Sequence, residues 1–227
     1  MSTQPLALIV GVGDGLSASL ARLLAREGYA LVLAARDIAK LSALAEATDA
    51  TLRACDASDE TSVAALFASL PRDPGVVIYN PSWRVRGPLV DLNPSHVRKT
   101  LDVTAFGAFL VAQQAARRML PRGEGAIVFT GASAGVKGFA KSAPFAMGKF
   151  ALRGLAQSMA RELHPLGVHV AHVVIDGGIR SAARPDAGGR DALLDPDAIA
   201  QTYLQLIRQP RSAWSWEIEV RPWVETF

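Results

Sequence analysis

Leu6-Ala7-Leu8-Ile9-Val10-Gly11-Val12-Gly13-Asp14-Gly15-Leu16-Ser17 decides the fold. Leu6 to Val12 is an apolar run, interrupted toward its end by Gly11 and followed by Gly13 and Gly15. Leu16, Leu20, Leu23 and Leu24 then recur on one helical face until Gly28, where a helix would stop. Strand, glycine turn and helix in that order form the first unit of a βα alternation. Glycines at such a junction let the backbone turn sharply and approach a pyrophosphate, whose charge is met by free amides and the positive end of the helix dipole. A glycine-rich turn also occurs as a plain tight loop, but its place in the first βα unit favours phosphate binding.

The same alternation runs outward from this stretch. Predicted strands cover Ala30 to Ala35, Thr51 to Asp56, Val76 to Asn80, Ala126 to Thr130 and Val168 to Ile175, the last so apolar that both its faces must be covered. Between them, Asp37 stands as a helix cap ahead of Ile38, Leu41 and Leu44, and Val63, Leu66, Phe67 and Leu70 stripe a further helix. Asn93-Pro94 opens a long helix toward Leu120, another runs from Pro144 to Leu163 before Gly167, and Asp195-Pro196 opens the last. Trp216, Ile218 and Val220 alternate with polar residues, as in an edge strand. The pattern is that of an α/β chain: a single Rossmann-like, doubly wound parallel sheet of about seven strands with helices on both faces, one domain over residues 1–227.

Composition narrows the function classes. Of 227 residues, 50% are hydrophobic and 20% charged, enough for one full core. With no apolar run of about 20 residues to span a bilayer and no leader pattern in the first residues, a cytoplasmic protein is expected. Cys55 is the single cysteine and the four histidines show no zinc spacing, so no metal is expected. A net charge of +3 spread among acids points to a small anionic ligand and away from nucleic acid.

Gly11-x-x-x-Gly15-Leu16, Asp56, Asn80 and Lys149 carry a resemblance over nearly the whole chain: it is similar to the short-chain dehydrogenase/reductase family. The resemblance implies a nicotinamide cofactor held by Gly11, Gly13, Asp14, Gly15 and Leu16 at the turn, by Asp56 and Ala57 facing adenine, and by Asn80 and Pro81 after the fourth strand. Lys149 would hold the nicotinamide ribose, with Gly177 and Ile179 near the carboxamide. Ser17 replaces the family's last turn glycine, which implies looser helix packing. At the end of the second strand an acid would bond the ribose 2′-hydroxyl, whereas Ala35-Arg36 supplies a forked cation for a 2′-phosphate, so NADP is expected over NAD. Asp14 and Asp37 oppose that preference by repulsion. The family's assemblies imply a homodimer or homotetramer, and Trp214, Trp216, Trp223 and Phe227 suggest an interface.

The family's catalytic centre is altered. Phe145 stands at the tyrosine that donates the proton in carbonyl reduction, Ala132 at the serine and Thr104 at the helical asparagine, leaving Lys149. Loss of a positioned general acid costs about 10²- to 10⁴-fold. Ser133, Asp176 at the end of the sixth strand, or a water beside Lys149 are the substitute donors. Asp176 as a loop cap, His169 and His172 as packing residues, and Lys137 and Lys141 as solvated charges are the competing assignments. Two functions fit: an NADP-dependent oxidoreductase for a small carbonyl, imine or alcohol, including a charged iminium, under a short lid from Ile179 to Leu193; or a catalytically impaired NADP(H) sensor or scaffold.

Overall fold

The computed structural model describes residues 4–181, 184–186 and 191–225. Its seven strands, β1 (Leu6–Val10), β2 (Ala30–Ala35), β3 (Thr51–Ala54), β4 (Val76–Tyr79), β5 (Ala126–Thr130), β6 (His169–Ile175) and β7 (Glu217–Val220), lie in the order β3-β2-β1-β4-β5-β6-β7. Every pairing is parallel. A parallel sheet needs a crossover between strands, and these crossovers carry helices. They are α1 (Leu16–Arg26), α2 (Ser42–Thr48), α3 (Glu60–Ala68), α4 (Pro94–Leu101), α5 (Gly107–Met119), α6 (Ala143–Leu163) and α7 (Pro196–Ile207).

Alternation along the strands divides the core in two. Leu6, Leu8 and Val10 pack with Phe67, Val111, Met119 and Leu152 beneath α3, α5 and α6. Ala7 and Ile9 turn to the other face, where Leu20 and Leu24 of α1 meet Ile199 and Tyr203 of α7. Leu8 and Ile9 are both fully buried, so truncating either to Ala opens a cavity worth about 2–5 kcal/mol.

The elements depart from the sequence reading at their ends. β1 stops at Val10 because Gly11 takes φ +82°, and β4 stops at Tyr79. The long helix expected from Asn93 to Leu120 is broken by a π-helical turn over Asp102–Phe106, where the chain makes one wide turn between α4 and α5. Asn93 and Asp195 cap α4 and α7 as expected, each accepting an amide two residues on. The order puts the switch point between β1 and β4, whose connections leave in opposite directions. A crevice opens there at the carboxyl ends of the strands.

Candidate active site

The turn after β1 has the shape of a cradle. Gly11 lies against Pro81, where a Cβ would come within 2.6 Å, while a Cβ at Gly13 or Gly15 would meet nothing. Gly15 precedes α1, whose N-terminus has no side-chain cap, so its amides and dipole face the crevice. Ser17, expected to loosen the helix, does the reverse. It is buried, donates to the Gly11 carbonyl at 3.1 Å, and accepts from the Asn80 side chain. Glycine turn and β4 end are thereby latched together.

A cavity of about 580 Å³ extends from this cradle. Gly11, Gly13, Asp14, Arg36, Asp56, Ala57, Asn80 and Pro81, the residues assigned to the cofactor from the resemblance, are brought together in its wall with Lys40. Gly15 and Leu16 are not in the wall: Gly15 starts the helix and Leu16 is in the core. Hydrogen bonds from the Ser58 hydroxyl and amide hold the Asp56 carboxyl below its ordinary range. The Asp37 carboxylate accepts the Ala39 amide at 3.2 Å and pairs with Lys40 at 3.2 Å. Its charge is thus partly met inside the chain. The Arg36 guanidinium lies 5.7 Å from the Trp83 ring, and the Lys99 ammonium 4.1 Å from it.

Asn80 and Ser82 also line a second cavity of about 580 Å³, formed by the ends of β5 and β6. Lys149, Phe145, Ala132, Ser133, Asp176, Gly177 and Ile179 all reach it. Lys149 is only 3% exposed, and its ammonium donates to the Thr130 carbonyl at 2.7 Å; burial pushes its pKa down to about 8. Phe145 closes one side of the cavity with its ring, 5.8 Å from that ammonium. Asp176 does not cap the following loop through any bond among the described residues. Its carboxylate instead pairs with Arg221 at 2.9 Å and Lys137 at 3.8 Å. Thr104 sits fully buried in the π-turn, accepts the Trp83 amide at 3.4 Å, and lies against Gly148 of α6.

Other polar groups are spent on structure. The Tyr79 hydroxyl donates to the Val103 carbonyl inside the π-turn, and burial pushes its pKa up. Tyr203 is buried too, with its hydroxyl 2.8 Å from the Thr130 hydroxyl. Neither lines the second cavity. His172 Nδ1 bonds Glu217, which also takes two bonds from Arg153, and burial holds the ring below its ordinary pKa. Trp214 stacks on His169 with centroids 4.7 Å apart, and Trp216 packs on the core. Trp223 is exposed. Two of the aromatics assigned to an interface are therefore satisfied within the chain. Phe227 and parts of the expected lid lie outside the described residues.

The short chain dehydrogenase family pattern matches residues 5–187. The chain belongs to that family. An uncharacterised oxidoreductase of Staphylococcus aureus (strain N315) is 27% identical over 229 residues, covering 97% of this chain and 98% of the relative. A short-chain dehydrogenase structure from Rhodopseudomonas palustris is 34% identical, covers 96% of this chain and 99% of its own, and has a TM-score of 0.85. A metagenomic short-chain oxidoreductase solved with NADP is 28% identical, with 96% and 97% covered and a TM-score of 0.83. The protein is an oxidoreductase enzyme of this family.

Sequence reasoning missed three basic residues of this short-chain dehydrogenase: Arg84, Arg86 and Arg184 line the second cavity. Arg84 lies 4.9 Å over the Phe145 ring. A signal was available in Trp83-Arg84-Val85-Arg86, an i, i+2 pair of arginines just beyond a strand that ends in the crevice. Among the described residues no helix is long and apolar enough to cross a membrane.

Proposed function

We propose that this enzyme transfers hydride between NADP(H) and a small carbonyl compound or the matching alcohol through an altered catalytic centre. The observation that carries it is Lys149, buried where the second cavity meets the sheet, with its proton held loosely at a pKa of about 8. A 2′-phosphate on the cofactor would suit the first cavity, whose wall carries Arg36 just after β2 and Lys40 in the 3-10 turn that follows. The glycine cradle and the uncapped α1 terminus suit its pyrophosphate. Bound nicotinamide supplies or accepts the hydride.

The chain's own residues then have to meet charge on the substrate oxygen. Lys149, Ser133 and water are the donors within reach of the second cavity. Asp176, engaged by Lys137 and Arg221, serves there as a charged neighbour that fixes Lys137 at the rim. Of the substrate types compatible with the sequence, a charged iminium is disfavoured, because the cavity wall is basic. We place the enzyme in the cytoplasm as a single-domain homo-oligomer. Exposed Phe106, Phe109, Met147 and Phe150 on the π-turn, α5 and α6 offer apolar surface of the sort subunits bury.

Titration with NADPH and with NADH tests this function. Tight NADPH and weak NADH binding, followed by NADPH oxidation with a carbonyl acceptor, is the expected result. Binding of neither cofactor overturns it, and binding without turnover of any acceptor leaves a cofactor sensor.

A further inference from the structure

The segment after β4 brings two arginines into the second cavity, and the segment after β6 brings a third. Residues 80–87 have no helical or strand structure, and burial alternates along them so that Ser82, Arg84 and Arg86 face outward while Trp83 and Val85 turn in. Both ends of the segment are tied. The Trp83 amide bonds Thr104 and the Gly87 amide donates to the Lys141 carbonyl at 3.1 Å. Arg184 comes from the far side and packs on Gly178, where a Cβ would lie 2.5 Å from its guanidinium carbon. The glycine is what lets that side chain lie flat against the strand end.

Three guanidinium groups thus meet over one cavity with no carboxylate partner for any of them among the described residues. Arg84 is held below its ordinary pKa first by partial burial and then by the charges of Arg86 and Arg184, so both of these cations lie within electrostatic reach of Arg84. Lys137 and Lys149 add to the wall, and of its two acids Asp176 is already engaged. Gathering like charges costs energy that a bound anion returns. The planar fork of arginine suits the paired oxygens of a carboxylate or a phosphate.

We propose that Arg84, Arg86 and Arg184 form an anion-binding subsite, so that the carbonyl substrate carries a carboxylate or phosphate group. Its place is fixed by Arg84, which rests on the ring standing where the family keeps its proton donor. An anion on that guanidinium lies beside the reacting end of the cavity, whose volume of about 580 Å³ is shared by the nicotinamide end of the cofactor and a small substrate. The identity of the anion as a substrate group rests on the oxidoreductase function proposed above; the anion subsite itself does not.

Calorimetric titration of the full chain at low salt with malonate and with inorganic phosphate tests it. Saturable binding is expected, weakened about tenfold or more in each of Arg84→Gln, Arg86→Gln and Arg184→Gln, one charge-assisted pair being lost in each. Tighter malonate identifies a carboxylate substrate, and tighter phosphate a phosphate ester. Absence of saturable binding, or binding unchanged in all three variants, overturns the subsite. Phosphate lodged near Arg36 and Lys40 is recognised because Arg36→Ala alone removes it. Should a Gln variant fail to fold, the matching Lys variant keeps the charge but loses the fork, and weaker binding is still expected. NADPH affinity is measured separately in every protein and should not change. Its absence throughout would sink the oxidoreductase function while leaving the anion result intact.

Discussion

Phe145 and Lys149 are one helical turn apart on α6, and both line the second cavity, where the proposed chemistry would take place. A hydroxyl added in Phe145→Tyr would face the second cavity beside a lysine able to acidify it. Reduction of simple ketones is expected to rise about tenfold or more, toward the range a general acid supplies, with NADPH affinity unchanged. Unchanged turnover would put the limit at Ala132 and Thr104 instead. Lys149 loses its proton at about 8 when folded and at 10.5 when free, so between those values the unfolded chain binds more protons and stability rises with pH. In the cofactor-free protein the stability of wild type relative to Lys149→Met should grow from pH 8 to pH 10.5, by up to roughly 3 kcal/mol. Chemical unfolding at several pH values checks it, and a flat difference would mean that water reaches the ammonium. Arg36→Ala is expected to weaken NADPH by about tenfold and leave NADH nearly untouched. Arg36 was picked out in the sequence because it directly follows the second strand, and Lys149 because it stands four residues after Phe145 in the spacing that the family resemblance implies. Arg84 and Arg86 were not, since an exposed arginine reads as a solvated charge until the sheet order shows which cavity its strand ends in.

At the scale of elements, the break between α4 and α5 has a physical consequence. A π-turn widens the helix and releases backbone carbonyls from their usual partners. Tyr79 recovers one of them, at Val103, from its position at the end of β4. Tyr79→Phe leaves that buried carbonyl unsatisfied and should cost about 1–3 kcal/mol, read from urea unfolding. A loss well below that range would show that the turn relaxes to an ordinary helix. Apolar spacing runs through residues 94–119 with little disturbance, and one wide turn leaves no mark in it. The strands were legible for the opposite reason. Runs such as Leu6–Val10 and His169–Ile175 are apolar on both faces, and in this sheet both faces are covered. β7 is short, carries Glu217 and Glu219, and is followed by Pro222, features that discourage a further strand from adding to this edge.

For the molecule as a whole, the cofactor should be part of what holds it together. The first cavity draws walls from the ends of β1, β2 and β4, three adjacent strands of the sheet, so NADPH bound there would belong to the folded state alone. At a concentration one hundred times its Kd it should add about 2.7 kcal/mol to unfolding. For a chain of this length that corresponds to a rise in Tm of about 5–10 °C, measurable by calorimetry. An equal rise with NADH would remove the case for a 2′-phosphate clamp. Asn80 and Ser82 are walls of both cavities, and the arginine-bearing segment begins at that shared wall. Seen as kinetics, this shared wall sets an order of addition. Cofactor that braces Pro81 and Ser82 readies the arginines before the second molecule arrives, so malonate should bind the NADPH complex more tightly than the cofactor-free chain, inhibiting competitively against the acceptor and in a mixed manner against NADPH.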